Sequence, residues 1–269
     1  MKKLFFIGLI ALSLVSCATG RHLRADLDKP VVLGVERPEL YMPLFEGKRV
    51  GLLSNSTAVS GPEERHTVDI LVEKGVNVTA IFSPEHGFRD FADAGEHVGD
   101  MIDKETGIYV QSLYSIGKKD VPDMIDSVDV IVIDIQDVGL RYYTYYISMM
   151  KMMDRAIARG KSFVVFDRPN PNGSYVDGPI LDMEKHRSGV GAAPIPVVHG
   201  LTLGELALMV NAEGWLKDGK KLEDLHVIPC ANYDHQRRWA INRRPSPNLR
   251  TLHSVYLYPS ICYFEGTKV

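Results

Sequence analysis

The stretch Val128-Asp129-Val130-Ile131-Val132-Ile133-Asp134 is apolar and β-branched almost without a break. A strand with one wet face alternates apolar and polar side chains, whereas an unbroken run is buried on both faces, as in a parallel sheet covered by helices. Downstream, helical spacing runs from Thr144 to Arg159, stops at Gly160, and gives way to a second run, Ser162-Phe163-Val164-Val165-Phe166-Asp167. Upstream, the strand Arg49-Val50-Gly51-Leu52-Leu53 is followed by helical spacing from His66 to Gly75 and by the apolar run Val76-Asn77-Val78-Thr79-Ala80-Ile81. Strand, helix and strand recur, so the expected fold is α/β, a Rossmann-like, mostly parallel sheet flanked by helices. Beyond Asn172 the loops lengthen. Then Pro194-Ile195-Pro196-Val197-Val198-His199-Gly200 predicts another short strand, Thr202-Leu203-Gly204-Glu205 a capping box opening a helix, and Leu225-His226-Val227-Ile228-Pro229 one more strand.

The first residues, MKKLFFIGLIALSLVSC, set a basic pair before an apolar core from Leu4 to Val15 and a small residue, Ser16, before Cys17. This is the layout of a secretory signal, too short to span a bilayer. Leu14-Val15-Ser16-Cys17 also resembles a bacterial lipobox, which makes Cys17 the expected lipidation site and the lipid the expected membrane anchor. The expected division is a signal peptide over 1–16, a lipidated N-terminus and tether over 17–46, a Rossmann-like domain over 47–190, and residues 191–269 continuing it into the start of a second α/β or α+β domain. The expected location is the cell envelope, on the outer membrane facing the periplasm or the cell surface. Cys230 and Cys262 remain, either as a disulfide or as two separate buried thiols. A formal charge of −3 without a basic run argues against a nucleic-acid partner.

In open α/β sheets, ligands bind outside the carboxyl ends of the strands. The polar residues of this chain collect there: Ser54-Asn55-Ser56 after the first strand, Glu85 and His86 after the second, Asp134-Ile135-Gln136-Asp137 after the third, Asp167-Arg168-Pro169-Asn170 after the next, and His199 beyond. Within Phe82-Ser83-Pro84-Glu85-His86-Gly87-Phe88, a turn needs only the proline and the glycine, so Glu85 and His86 call for another explanation. Arg168 is expected as the counter-ion of Asp134 or Asp167. In Asp137-Val138-Gly139-Leu140-Arg141-Tyr142-Tyr143-Thr144-Tyr145-Tyr146, aromatic residues surround an arginine at a helix start, which suits a sugar that carries a carboxylate. Arg141 and Tyr145 are the expected contacts, with Tyr142 and Tyr146 packing the helix. Asn55, His86, Gln136, Asn170 and His199 complete the candidate binding set.

No G-x-G-x-x-G follows the first strand, so no nicotinamide cofactor is expected, and no G-x-S-x-G elbow, Walker loop or H-E-x-x-H occurs. His66, His86, His97 and His199 match no recognised metal spacing. A metal-free mechanism based on carboxylates is the simpler expectation.

The blocks Phe82 to Phe88, Asp134 to Gly139, Arg141 to Tyr145, Asp167-Arg168-Pro169-Asn170-Pro171-Asn172-Gly173 and Pro194 to Gly200 resemble, in order, the exo-β-N-acetylmuramidases of the NamZ type. The resemblance implies a glycoside hydrolase that removes N-acetylmuramic acid from the non-reducing ends of peptidoglycan fragments, with a Rossmann-like domain facing a second domain across the cleft. It places the proposed catalytic glutamate of the family on Glu85, against an apolar wall expected from Phe82 or Phe88. For the second group it leaves open Asp137 or Asp134, activating water, and the acetamido group of the substrate. Family members continue past the Phe264-Glu265-Gly266-Thr267 motif, so a chain ending at Val269 is expected to lack one wall of the cleft. The competing expectations are a lipoprotein that binds peptidoglycan or muropeptide without cleaving it, and an esterase or deacetylase, which the missing serine elbow disfavours.

Overall fold

The structure, a computed structural model, describes residues 28–89, 99–116, 123–241 and 243–267. Cys17 and the leader before it lie outside the described residues. In chain order the elements are α1 (Pro38–Phe45), β1 (Val50–Ser54), β2 (Val59–Ser60), β3 (Arg65–His66), α2 (Thr67–Glu73), β4 (Val78–Ser83), β5 (Met101–Ile102), β6 (Tyr109–Ser112), β7 (Val130–Asp134), α3 (Tyr145–Arg159), β8 (Ser162–Phe166), α4 (Met183–His186), α5 (Leu203–Ala212), β9 (Leu225–Ile228) and α6 (Leu252–Ile261). The large sheet has seven strands in the order β5-β6-β4-β1-β7-β8-β9. All its pairs are parallel except β5 with β6. Numbered by sequence, the parallel strands therefore lie 3-2-1-4-5-6, and the order reverses between β1 and β7. That reversal opens a crevice at the carboxyl edge, the usual ligand position of such sheets.

The unbroken apolar runs explain how both faces are covered. In β7, Ile131 and Ile133 join the core under α3 and α5, while Val130 and Val132 join the core under α1 and α2. β8 divides the same way, Phe163 and Val165 on one side, Val164 and Phe166 on the other. The helices supply matching stripes: Met149, Met152, Met153 and Ala156 of α3, and Leu203, Leu206, Ala207 and Val210 of α5, are all buried. Gly160, with φ +59°, closes α3 in the left-handed conformation that a residue without Cβ adopts at least cost. The capping box read at Thr202 and Glu205 is present, with both reciprocal bonds made.

Four segments add to or differ from the reading of the sequence. The short entry segment read after the tether, before residue 46, is the helix α1, whose Tyr41 and Phe45 pack on Phe166 with ring centroids 4.6 and 6.2 Å away. Pro194 to Gly200 adds no strand to the sheet; it is pinned by bridges from Val198 to Leu140 and Asp177. Pro194 and Pro196 lack the N–H that a ladder needs, so single bridges are what the segment can make. The short strands β5 and β6 and the helix α6, with Pro259 inside it, carry too little periodicity to be read in advance.

Candidate active site

The loop after β4 is held rigidly. Gly87 N–H donates to Pro84 O at 3.4 Å, and both His86 (φ +72°) and Gly87 (φ +90°) are in the left-handed region. A histidine there carries backbone strain of about 1–3 kcal/mol, tolerated where surrounding contacts over-determine the fold and typical of functional corners. Those contacts are visible: Phe88 is buried against the His66 ring, 4.7 Å between centroids, and Arg89 bridges Asp69 and Asp103 at 2.6 and 2.7 Å. Phe82 is sealed in the opposite core and Phe88 packs on His66, so neither makes the expected wall beside Glu85.

That wall is aromatic and comes from the N-terminus of α3. A cavity of about 420 Å³ is lined by Glu85, His86, Tyr142, Tyr143, Thr144, Tyr145, Val190, Ser246, Asn248, Leu249, Tyr258 and Glu265, a size suited to small-molecule sites of about 300–1,000 Å³. The Tyr145 hydroxyl lies 3.5 Å from Glu85 O, and burial raises its pKa. Tyr114, an exposed ring beside the Glu85 carboxylate, has its pKa raised by burial and then by the Glu85 charge. Among the described residues no side chain caps α3 at Thr144 and its first turn holds no acidic residue; Thr144 and Tyr145, at the positive end of the helix, line the cavity. Tyr142, expected only to pack the helix, is half-buried and lines this cavity; Tyr146 is buried and its hydroxyl accepts from Ala192 N–H at 3.1 Å. A larger cleft of 540 Å³ lies at the amino ends of β1 and β4, between Met42 and Asn77, away from the carboxyl-edge residues.

The remaining expected site residues form a sealed polar layer below. Asp134, 0% exposed, pairs with Arg168 in a two-pronged contact through Nε and Nη2, Nη2 to Oδ2 at 3.0 Å, and also accepts from the Thr67 hydroxyl. The expected Arg168 counter-ion is therefore found, and Asp134 is not placed to activate water. Gln136 donates to Asp137 O and Pro169 O, each at 2.8 Å, and accepts from Trp239 Nε1 at 3.1 Å. Asn170 donates to Leu201 O at 2.9 Å and accepts from Asn172 N–H at 2.8 Å; a Cβ on Gly139 would lie 2.4 Å from its side chain, so this crossing requires glycine. Asn55 accepts from Thr57 at 3.0 and 2.6 Å, while its buried amide NH₂, beside the Tyr145 hydroxyl, has no well-formed hydrogen bond among the described residues. Gln136 and Asn170 thus brace loops instead of facing the cavity.

Arg141, the expected carboxylate clamp, is also turned inward. Its Nη1 donates to Pro179 O at 2.9 Å and to Ile195 O at 2.6 Å, and its guanidinium lies 5.3 Å from the Tyr142 ring. It ties the Tyr142–Tyr145 wall to residues 179 and 195 and does not line the cavity. Asp137 accepts from Gly139 N–H at 2.7 Å, and His199 accepts at Nδ1 from Leu201 N–H at 3.2 Å. Among the described residues, Asp137 Oδ2 and His199 Nε2 have no hydrogen-bond partner, although His199 Nε2 and Asp137 Oδ1 are 3.8 Å apart. Burial raises the Asp137 pKa to about 7 and lowers that of His199 to about 4, so both are held towards their neutral forms. Asp137 is thus buried beneath the cavity and does not line it.

Among the ten expected site residues, the cavity gathers Glu85, His86 and Tyr145. Reading the sequence missed Tyr114, Asn248, Tyr258 and Glu265, which come from β6's following turn and from the C-terminal segment. The Phe264-Glu265-Gly266-Thr267 motif was the available signal, since a glutamate beside glycine in an aromatic segment resembles the Glu85 corner. Among the described residues, no group of three or more His, Cys, Asp or Glu side chains is placed to hold a metal ion. Cys230 and Cys262 are separate thiols, the first half-buried and the second buried.

Comparison with known proteins adds to this geometry. The sequence model of one family, described as exo-beta-N-acetylmuramidase NamZ, N-terminal, matches residues 50–253. The peptidoglycan beta-N-acetylmuramidase NamZ of Bacillus subtilis (strain 168) is 38% identical over 283 aligned positions, covering all of this chain and 66% of that protein. Crystal structures of two DUF1343 family proteins from Bacteroides fragilis NCTC 9343 superpose with TM-scores of 0.78 and 0.75, at 49% and 36% identity. They cover 89% and 87% of this chain and 63% and 60% of their own. The chain thus spans a little under two thirds of the length of these relatives.

Proposed function

The chain belongs to the family of the NamZ exo-beta-N-acetylmuramidase N-terminal region, and on that premise we propose that it acts as a glycoside hydrolase releasing N-acetylmuramic acid from the non-reducing ends of peptidoglycan fragments. One observation carries this reading: Glu85 sits at a strained, braced corner and opens into a tyrosine-walled cavity of sugar-binding character. Glycoside hydrolysis needs a carboxyl group beside the leaving oxygen, and a rigid corner fixes that proton donor where the bond breaks. The half-buried Tyr142 supplies stacking surface for a pyranose, while Tyr143 and Tyr145 line the cavity from within the core. The uncapped start of α3 favours an anion, which suits the lactyl carboxylate of a muramide. Braced by Arg141 from behind, this helix start takes over the carboxylate selectivity that the sequence had assigned to the arginine itself.

The test is hydrolysis. Incubation with a nitrophenyl N-acetyl-β-muramide is expected to release nitrophenolate and free sugar, and faster than the matching N-acetylglucosaminide. Saturable binding of the muramide without release would overturn the hydrolase reading in favour of a muropeptide-binding protein. The same reading places the protein in the cell envelope as a lipoprotein anchored at Cys17, with a peptidoglycan-derived sugar as substrate. Its support is the basic, apolar and lipobox-like leader. Replacing Cys17 by Ser is expected to move the protein from the membrane fraction to the soluble one; unchanged partition would refute the anchor.

A further inference from the structure

Glycosidases of the common kind use two carboxyl groups, one to protonate the leaving oxygen and one on the side from which water attacks or a bond forms. For the second role the family resemblance leaves open the acetamido group of the substrate and, on the protein, two carboxyl groups, Asp134 and Asp137. Neither is available: Asp134 is sealed against Arg168 and Thr67, and Asp137 is buried behind Tyr143 and Tyr258. The cavity that contains Glu85 holds a different second carboxylate, that of Glu265, from the 3₁₀ turn Cys262–Gly266 that follows α6.

Glu265 is exposed, but it is not loose. The Tyr258 hydroxyl donates to its Oε2 at 3.1 Å, and Tyr258 is itself only 4% exposed, so the anchor is fixed by the core. Burial, then the Glu265 charge, raises the Tyr258 pKa, which keeps the phenol a proton donor to the carboxylate. Glu85 differs: its corner is fixed by the backbone, and the tyrosine beside it, Tyr114, is exposed. The cavity therefore holds two carboxyl groups, a half-buried one at the rigid Glu85 corner and one at Glu265 that Tyr258 orients.

We propose that Glu265 is the second catalytic carboxylate, the base that takes a proton from the attacking water; this rests on the hydrolase reading above. As the bond between the anomeric carbon and the glycosidic oxygen breaks, Glu85 gives its proton to that oxygen. The water oxygen bonds to the anomeric carbon and its proton passes to Glu265, so the two groups end with their protonation exchanged and solvent resets them. A single displacement of this kind inverts the anomeric centre.

The experiment compares the unsubstituted chain with Glu265→Ala and Tyr258→Phe on a nitrophenyl muramide and on a natural disaccharide. Glu265→Ala is expected to lower kcat by roughly 10²–10⁴ on both substrates with KM little changed, because water must be activated whatever the leaving group. It should also flatten the acidic limb of the pH profile, and added azide should restore turnover by forming the inverted glycosyl azide. Tyr258→Phe, which leaves the carboxylate but frees it, is expected to cost roughly 10-fold in kcat. A Glu265→Ala protein with kcat within threefold of the parent, a tenfold rise in KM without azide rescue, or a first product of retained configuration would each overturn the inference while leaving the hydrolase reading in place. An unsubstituted chain that hydrolyses nothing would overturn the hydrolase reading, and this inference with it.

Discussion

Two regions at the same edge of the sheet draw on the same residue types for opposite ends. In the cavity, Glu85 and Glu265 are carboxyl groups with access to solvent, the second held by Tyr258. Below the crevice between β1 and β7, Asp134, Asp137 and Asp167 are buried carboxyl groups, held by Arg168, Gly139 and Thr202 respectively. Position at a strand's carboxyl end therefore does not by itself identify a reacting group. What separates the two regions is whether a carboxyl oxygen still faces an open volume after the backbone and its neighbours have been satisfied.

The widest separation is expected for Glu85→Gln. The amide keeps shape and hydrogen bonding but carries no transferable proton, so turnover of a natural disaccharide should fall by roughly 10²–10⁴. A nitrophenyl substrate, which needs little protonation to depart, should suffer less. Thermal unfolding should be nearly unchanged, because the half-buried side chain is not part of the core. A variant that turns over normally would return Glu85 to the role of a corner residue and remove the contrast between the regions.

Asp134→Ala should behave in the reverse way. It leaves Arg168 buried with its charge uncompensated, and breaking such a pair costs about 3–5 kcal/mol. Chemical denaturation should show that loss, while the molecules that remain folded keep their specific activity. Equal losses of stability and of specific activity would mean that the buried layer transmits strain into the cavity.

Much of this fold is legible in sequence because burial on both faces leaves a strong pattern. Val130 to Asp134 and Ser162 to Phe166 can be read as central strands, since each alternate side chain has a core to enter. The site is legible only in part. Asp134, Gln136 and Asn170 look functional by composition and placement, and nothing in a linear sequence says that Arg168, Trp239 and Leu201 will satisfy them. Glu265 lies 180 residues beyond Glu85 in the numbering, behind a proline-containing helix with little periodicity, so its approach to the cavity is a long-range fact that only the folded chain reveals.

Arg141 sharpens the comparison further. Arg141→Lys keeps the charge but cannot span the two carbonyls of Pro179 and Ile195, so the folded protein should lose about 2 kcal/mol, as for hydrogen bonds from a charged donor. Selectivity for muramides over glucosaminides should be retained if the start of α3 holds the carboxylate. A selective loss of muramide turnover at unchanged stability would instead put the guanidinium back in the site.

The smallest effect per step concerns Asp137 and His199, which face each other among Tyr143, Tyr146, Tyr258 and Arg141. Burial raises the Asp137 pKa to about 7, so between its ordinary value near 4 and about 7 the folded state holds a proton that the unfolded chain releases, and stability contributed by Asp137 is lost as pH rises. Burial lowers the His199 pKa to about 4, so between about 4 and its ordinary value of 6.5 the unfolded chain holds a proton that the folded one lacks, and stability is lost as pH falls. Over the shared window the two slopes have opposite sign and equal proton count. Folding simply moves one proton from imidazole to carboxyl, and the pair adds no net pH dependence. Removing one member should unmask the other: Asp137→Asn should make stability fall as pH drops through 6 towards 4, and His199→Gln should make it fall as pH rises over the same range, each by at most about 1.4 kcal/mol per pH unit. Denaturation midpoints between pH 4 and 7 would measure this, and parallel curves for the parent and both variants would show that neither group is held neutral beneath the cavity.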